Sequence, residues 1–153
     1  MIYEHFIDEI VKSVDTWPDD YILILHGWFP DKIFHQAILK EIKKRENRIV
    51  LSLELLSEDK HNLIFQSVDF GLVFFRPVNN NMRYGNSAAG KLYHFLRMGV
   101  PVISNRNPGM KKFIDKTGFG ITVANPHEIG TAIEVINKDY NLFSETAFNT
   151  YYK

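Results

Sequence analysis

Residues 84–105 read YGNSAAGKLYHFLRMGVPVISN. An amphipathic run over 91–98 stops at Gly99, and the apolar segment 100–105 begins at once. The pattern predicts a helix that turns directly into a short buried strand. Ahead of the run stand Gly85, Asn86, Ser87, Ala88, Ala89 and Gly90. If Ser87 caps the helix, the free N–H groups of its first turn and the helix dipole form an anion site suited to phosphate. Ala88, Ala89 and Gly90 leave that opening without bulky side chains, and Lys91 adds a positive charge one turn in. The same residues also suit an ordinary capped helix with small residues for close packing, so both readings stand at this point.

The helix-then-strand pattern extends in both directions. Phe6, Ile7, Ile10, Val11 and Val14 follow a helical period that ends before Trp17 and Pro18. YILILHG (21–27) is a continuous apolar run, expected as a strand buried on both faces. A helix over 31–46 follows, with Ile33, Phe34, Ala37, Ile38 and Ile42 on one side. RIVLS (48–52) is the next strand, and Ser57 is placed to cap a helix running to about Ser67. DFGLVFFR (69–76) is a third strand, followed by a polar loop. Beyond residue 105 come a helix over PGMKKFIDKTG, the strand FGITVA, a helix around HEIGTAIEVINKD and a last helix over 140–153.

Apolar strands alternating with helices across short links predict a Rossmann-like α/β fold. Its parallel sheet would have five to six strands, covered by helices on both faces. In such sheets ligands sit beyond the carboxyl ends of the strands. That puts the loops at 27–31, 52–57, 76–87 and 104–110 on one rim. At 153 residues the chain is expected to be a single domain, large enough to bury a core.

Composition narrows the function. Lysine plus arginine and aspartate plus glutamate number 18 each, which argues against a domain built to coat nucleic acid. The sequence has no cysteine, so thiolate chemistry and disulfides are excluded. The six histidines show no ligand spacing, so no metal site is expected. No apolar run reaches the length that spans a bilayer, and the acidic residues in the first helix do not suit a signal peptide. No nucleophile elbow or Walker-type loop is present.

The segment GKLYHFLRMGVPVISN resembles the donor-binding element of GT-B glycosyltransferases, in the large retaining group that includes many bacterial polysaccharide and lipopolysaccharide enzymes. YILILHG, the run NRIVLSLELLSEDKHNLIFQSVDFGLVFF (47–75) and KTGFGITV resemble successive elements of the same fold half. The resemblance covers about 21–136 and rests on the order and spacing of these elements. It implies the nucleotide-sugar-binding half of a two-domain enzyme, with the acceptor domain outside this chain.

Carried over by position, the resemblance puts Asn86 and His94 where relatives usually have two glutamates, one near the donor sugar and one on the ribose. Both types can still hydrogen-bond hydroxyls. As an alternative, His94 packs on the sheet beside Tyr93 and Phe95. Ser87, Ala88 and Lys91 would face the donor diphosphate. Arg76 and Arg83 are rim candidates for further positive charge, as is Arg106. Leu53, with Ser52 and Glu54, would meet the base. His26 reaches the rim, with a structural role as its alternative, and catalytic residues are not assigned. The expected partners are a nucleotide diphosphate sugar and an acceptor domain or partner subunit, with no cofactor and no nucleic acid. The expected location is cytoplasmic, with peripheral association at the inner membrane through the rest of the protein. A non-catalytic nucleotide-sugar-binding or partner-docking module and half of a nucleotide-sugar epimerase are the alternatives.

Overall fold

A computed structural model of the chain describes residues 5–29, 31–84 and 90–153. Helix α1 (Ile7–Ser13) continues into a 3-10 turn (Val14–Thr16) and is followed by β1 (Leu23–His26), α2 (Lys32–Lys43) and β2 (Ile49–Ser52). Then come α3 (Glu58–Gln66), β3 (Gly71–Val73), α4 (Asn80–Tyr84), α5 (Gly90–Arg97) and β4 (Val102–Asn105). The chain closes with α6 (Pro108–Thr117), β5 (Gly120–Val123), a 3-10 turn (Pro126–Glu128), α7 (Ile129–Lys138) and α8 (Tyr140–Tyr152).

All observed strand pairs are parallel, as the alternation predicts. The expectation of one sheet of five to six strands is corrected. Among the described residues five strands form two sheets, β1–β2 and β3–β4–β5. β1 and β3 are not hydrogen-bonded neighbours, and residues of both, among them Leu23, Ile24 and Leu72, line a cavity of 570 Å³ in place of a continuous ladder.

Helices cover both faces. On one, α1, α2 and α7 bring Ile10, Val11, Ile38 and Ile133 onto Leu23, Leu25, Ile49, Phe74, Ile103 and Val123. On the other, α5, α6 and α8 bring Leu92, Leu96, Ile114 and Ala147 onto Val73 and Val102. Gly130 lets α7 approach the end of the first helical segment: a Cβ there would lie 2.3 Å from the Thr16 carbonyl oxygen. The strand at 21–27 is not buried on both faces as expected. Leu23 and Leu25 are buried, whereas Ile22 and Ile24 are 50% and 38% exposed, because their face of β1 opens toward the cavity.

Two helix starts differ in their chemistry. Asp31 caps α2, its side chain accepting from the Phe34 N–H at 2.6 Å. Ser57 does occupy the N-cap position of α3, but its side chain makes no capping hydrogen bond.

Candidate functional site

The carboxyl ends of β3 and β4 are fastened by buried asparagines. Asn105, the last residue of β4, accepts from the Phe75 N–H at 3.0 Å and donates to the Phe75 carbonyl at 2.9 Å. It also donates to Asn107 Oδ1 at 3.0 Å. Asn107 in turn donates to the carbonyls of Phe75 and Met82, both at 2.8 Å. Ser104 donates to the Val73 carbonyl at 2.7 Å. Side-chain amides thus stand in for the ladder where β3 ends, and they tie the segment 75–82 to β4. Gly109 brings α6 against the end of α4, since a Cβ there would lie 2.4 Å from the Tyr84 carbonyl oxygen. The rim leading up to residue 84 is therefore held from below.

Lys91 stands in the first turn of α5 and also lines the cavity between β1 and β3. Its ammonium lies 5.2 Å from the centre of the Phe75 ring, a cation–π distance. Among the described residues no carboxylate forms an ion pair with it. Burial pushes its pKa down to about 8. A cation in the first turn of a helix, above an aromatic ring, adds to the positive end of the helix dipole there.

Arg76 and Arg106 do not offer comparable free charge. Arg76 Nη2 lies 2.8 Å from both Asp8 Oδ1 and Glu9 Oε1, and its guanidinium carbon is 4.2 Å from the centre of the Phe6 ring. Burial opposes its charge, but the hydrogen bonds and fields of Asp8 and Glu9 outweigh that and raise its pKa. Arg106 lies 4.0 Å from Glu128. Arg83, on α4, is exposed and lines a small hollow with Asn105 and Asn107. Lys111 pairs with Asp115 along α6.

At the carboxyl end of β1, His26 Nδ1 and Ser52 Oγ are 3.0 Å apart. The His26 ring lies 5.4 Å from that of His61. Burial first, and then the neighbouring His61, lower the His26 pKa. His94 turns toward α3, where it stacks on Phe65 at 4.8 Å between ring centres, with the planes 16° apart. The His61 ring is 6.4 Å away. Leu53 is exposed just beyond β2, next to Ser52. Asn86, Ser87 and Ala88 lie outside the described residues. Of the remaining sequence candidates, Lys91 and Arg83 share the rim at the ends of β3 and β4, whereas Leu53 and His94 belong to the β2–α3 side. The Asn105–Asn107 pair and the Phe65–His94 stack are absent from the sequence reading. The run SNRNPG at 104–109 is the signal that points to the first, because two asparagines one residue apart at the end of an apolar strand favour local backbone bonding.

Among the described residues no helix is long and apolar enough to cross a membrane, and no cluster of histidine, aspartate and glutamate is arranged to hold a metal ion.

Comparison with known proteins places this geometry. The chain is similar in structure to Anabaena HepE in complex with UDP-glucose, with a TM-score of 0.75 and 15% identity over 99% of this chain and 40% of that one. It is similar to WaaG, a glycosyltransferase involved in lipopolysaccharide biosynthesis, at a TM-score of 0.68 and 13% identity over 97% of this chain and 39% of that one. The C-terminal domain of the glycosyl transferase group 1 family protein LpcC from Francisella tularensis gives a TM-score of 0.64 and 15% identity over 97% and 75%. The chain thus spans about two fifths of the length of the HepE and WaaG chains. No curated protein sequence matches it. The profile of the family described as "Glucosyltransferase 3-like, C-terminal domain" matches residues 14–150, and the chain belongs to that family.

Proposed function

We propose that this chain is the donor-binding domain of a glycosyltransferase that moves a sugar from a nucleotide diphosphate sugar to an acceptor. The acceptor would be held by a further domain or a partner subunit. The observation that carries the reading is the family match over 14–150. Structural similarity to a UDP-glucose complex through 99% of this chain supports it. The donor diphosphate lies at the start of α5, where Lys91 supplies the charge and the asparagine-fastened rim supplies a rigid floor. As the glycosidic bond to the donor breaks, negative charge grows on the departing diphosphate, and a preorganised cation there lowers the barrier.

Retention of stereochemistry, a role in polysaccharide assembly and a cytoplasmic location belong to the same proposal. Half of the catalytic cleft would lie in the acceptor domain, so the chain by itself is expected to bind nucleotide weakly and to turn nothing over. Calorimetric titration with UDP, GDP and ADP tests the reading. Millimolar or tighter binding of at least one nucleoside diphosphate is expected. Absence of binding for all three at millimolar concentration overturns the donor site. Sugar transfer by the chain alone overturns the division of the cleft between two domains.

A further inference from the structure

Lys91 and Phe95 stand one turn apart on α5 and so share a face of the helix. That face meets the β3 segment at two points. At the amino end of the strand, a Cβ on Gly71 would run into the Phe95 ring. Beyond the carboxyl end, the Lys91 ammonium lies 5.2 Å from the centre of the Phe75 ring. Helix α5 therefore runs antiparallel to β3. Four residues advance a helix by about 6 Å and an extended chain by about 13 Å. A lysine side chain tilts toward the amino end of its helix, and its length covers the difference of about 7 Å. The Gly71–Phe95 contact thus commits Lys91 to reach forward to the rim, and Phe75 is the ring it meets there.

Phe75 is held in place by its own backbone. Its N–H donates to Asn105 Oδ1 at 3.0 Å, and its carbonyl accepts from the side chains of Asn105 at 2.9 Å and Asn107 at 2.8 Å. The His5 ring meets the Phe75 ring edge-on, 5.2 Å between centres. The next residue, Arg76, is tied to Asp8 and Glu9 of α1. A ring on so fixed a backbone gives a side chain with four rotatable bonds a defined place to rest.

We propose that Phe75 is a positioning residue for the candidate anion site: its π face holds the Lys91 ammonium at the carboxyl rim, where a donor diphosphate would meet it. The identity of the anion rests on the sugar-transfer reading, whereas the hold of ring on ammonium does not. A cation over a ring favours the ammonium over the neutral amine. Phe75 therefore offsets part of the burial that pushes the Lys91 pKa down to about 8. The other titratable and charged groups around Lys91 are spread over several elements. His5 lies against the same ring at the start of α1. His26 of β1 and His61 of α3 line the cavity that Lys91 also lines, as do Asp20 and Asp69, which precede β1 and β3 at the amino ends of the strands. On α5 itself His94 turns to Phe65 and Arg97 to Asn62.

The test uses Phe75→Leu, Phe75→Tyr and a chain carrying a trifluorinated phenylalanine at position 75. The last keeps the shape of the ring and withdraws the negative charge of its face. NMR follows the ε-methylene protons of Lys91, assigned by their loss in Lys91→Met, through a pH titration, and calorimetry measures UDP affinity over the same range. The unaltered chain and Phe75→Tyr should show a ring-current shift of these protons, which Phe75→Leu loses. In Phe75→Leu and in the trifluorinated chain the Lys91 titration midpoint should fall by about half a pH unit or more. The pH above which UDP binding weakens should fall by the same interval. A trifluorinated chain whose midpoint equals that of the unaltered chain overturns the proposal and leaves Phe75 a packing residue. If the unaltered chain binds no UDP while the midpoint still falls in the trifluorinated chain, the sugar-transfer reading fails and the hold of Phe75 on Lys91 stands.

Discussion

Arg76 and Asp8 are 68 positions apart in sequence, and their side chains meet at 2.8 Å. Arg76 leaves the end of β3 and reaches the first turn of α1, where Glu9 joins the pair and the Phe6 ring packs under the guanidinium. Arg76, expected from the sequence as a rim cation for an anionic ligand, clamps the first helix to the segment after β3. Arg76→Ala is expected to destabilise the fold by about 1–3 kcal/mol, since it strands two carboxylates in a partly buried setting. Chemical denaturation measures this. Nucleoside diphosphate affinity should change less than about two-fold.

Lys91 should behave in the opposite way. Its pKa of about 8 against an ordinary 10.5 means that the folded chain binds fewer protons than the unfolded chain between those values. Stability therefore rises as pH increases from about 8 to about 10.5, by up to about 3 kcal/mol. Lys91→Met should remove that rise and make the protein more stable at pH 7 by a comparable amount. It should also weaken UDP binding by about ten-fold or more, by removing the positive charge at the helix start. Thermal melts across pH and calorimetry report the two effects separately.

His26 sets a limit on the acid side. Burial and His61 hold its folded pKa below the usual 6.5, so the unfolded chain takes up a proton that the folded chain resists. The stability that His26 contributes is present above about pH 6.5 and is lost as pH falls from there toward its folded pKa. His26→Gln should flatten that part of the stability profile. An unchanged acid limb in the variant would remove His26 from the explanation.

Asn105 is the latch of the rim. Asn105→Ala leaves both backbone groups of Phe75 without this partner, and the Asn107 Oδ1 loses its donor. A loss of about 2–4 kcal/mol is expected. Faster amide exchange should appear at Phe75. If the floor under the α5 start matters for binding, UDP affinity falls in step.

Gly130→Ala tests packing alone. The added Cβ falls 2.3 Å from the Thr16 carbonyl oxygen, and the neighbour is backbone, so α7 has to move. Destabilisation of about 1–3 kcal/mol is expected despite the better helix propensity of alanine. Full stability of the variant would mean that α7 slides freely over the 3-10 turn.

Most of the element order is legible from period and punctuation. The helix expected to run from Ser57 to about Ser67 is observed as α3 (Glu58–Gln66), and the strand at 48–52 as β2 (Ile49–Ser52). The strand expected over 69–76 is shorter, Gly71–Val73, because Phe75 exchanges its backbone bonds with Asn105 and Arg76 turns to α1. The run at 21–27 reads as buried on both faces and is covered on one, since apolarity records what a surface can bury and not whether a neighbour is present to cover it. The candidate site is legible in part. Lys91 stands at a helix start beside the rim, whereas His94, placed by resemblance near the ribose, stacks on Phe65.

The sequence by itself determined the alternation of helix and strand, the parallel sense of the pairing and the rim on which a ligand site would lie. These follow from local periodicity, from short links and from the need to cover a sheet on both faces. Only the tertiary structure decided which rim charges are neutralised, where the sheet is interrupted and why Lys91 titrates low. Each of those depends on neighbours brought from far along the chain and on the burial they create, and no local pattern encodes which side chain will arrive there.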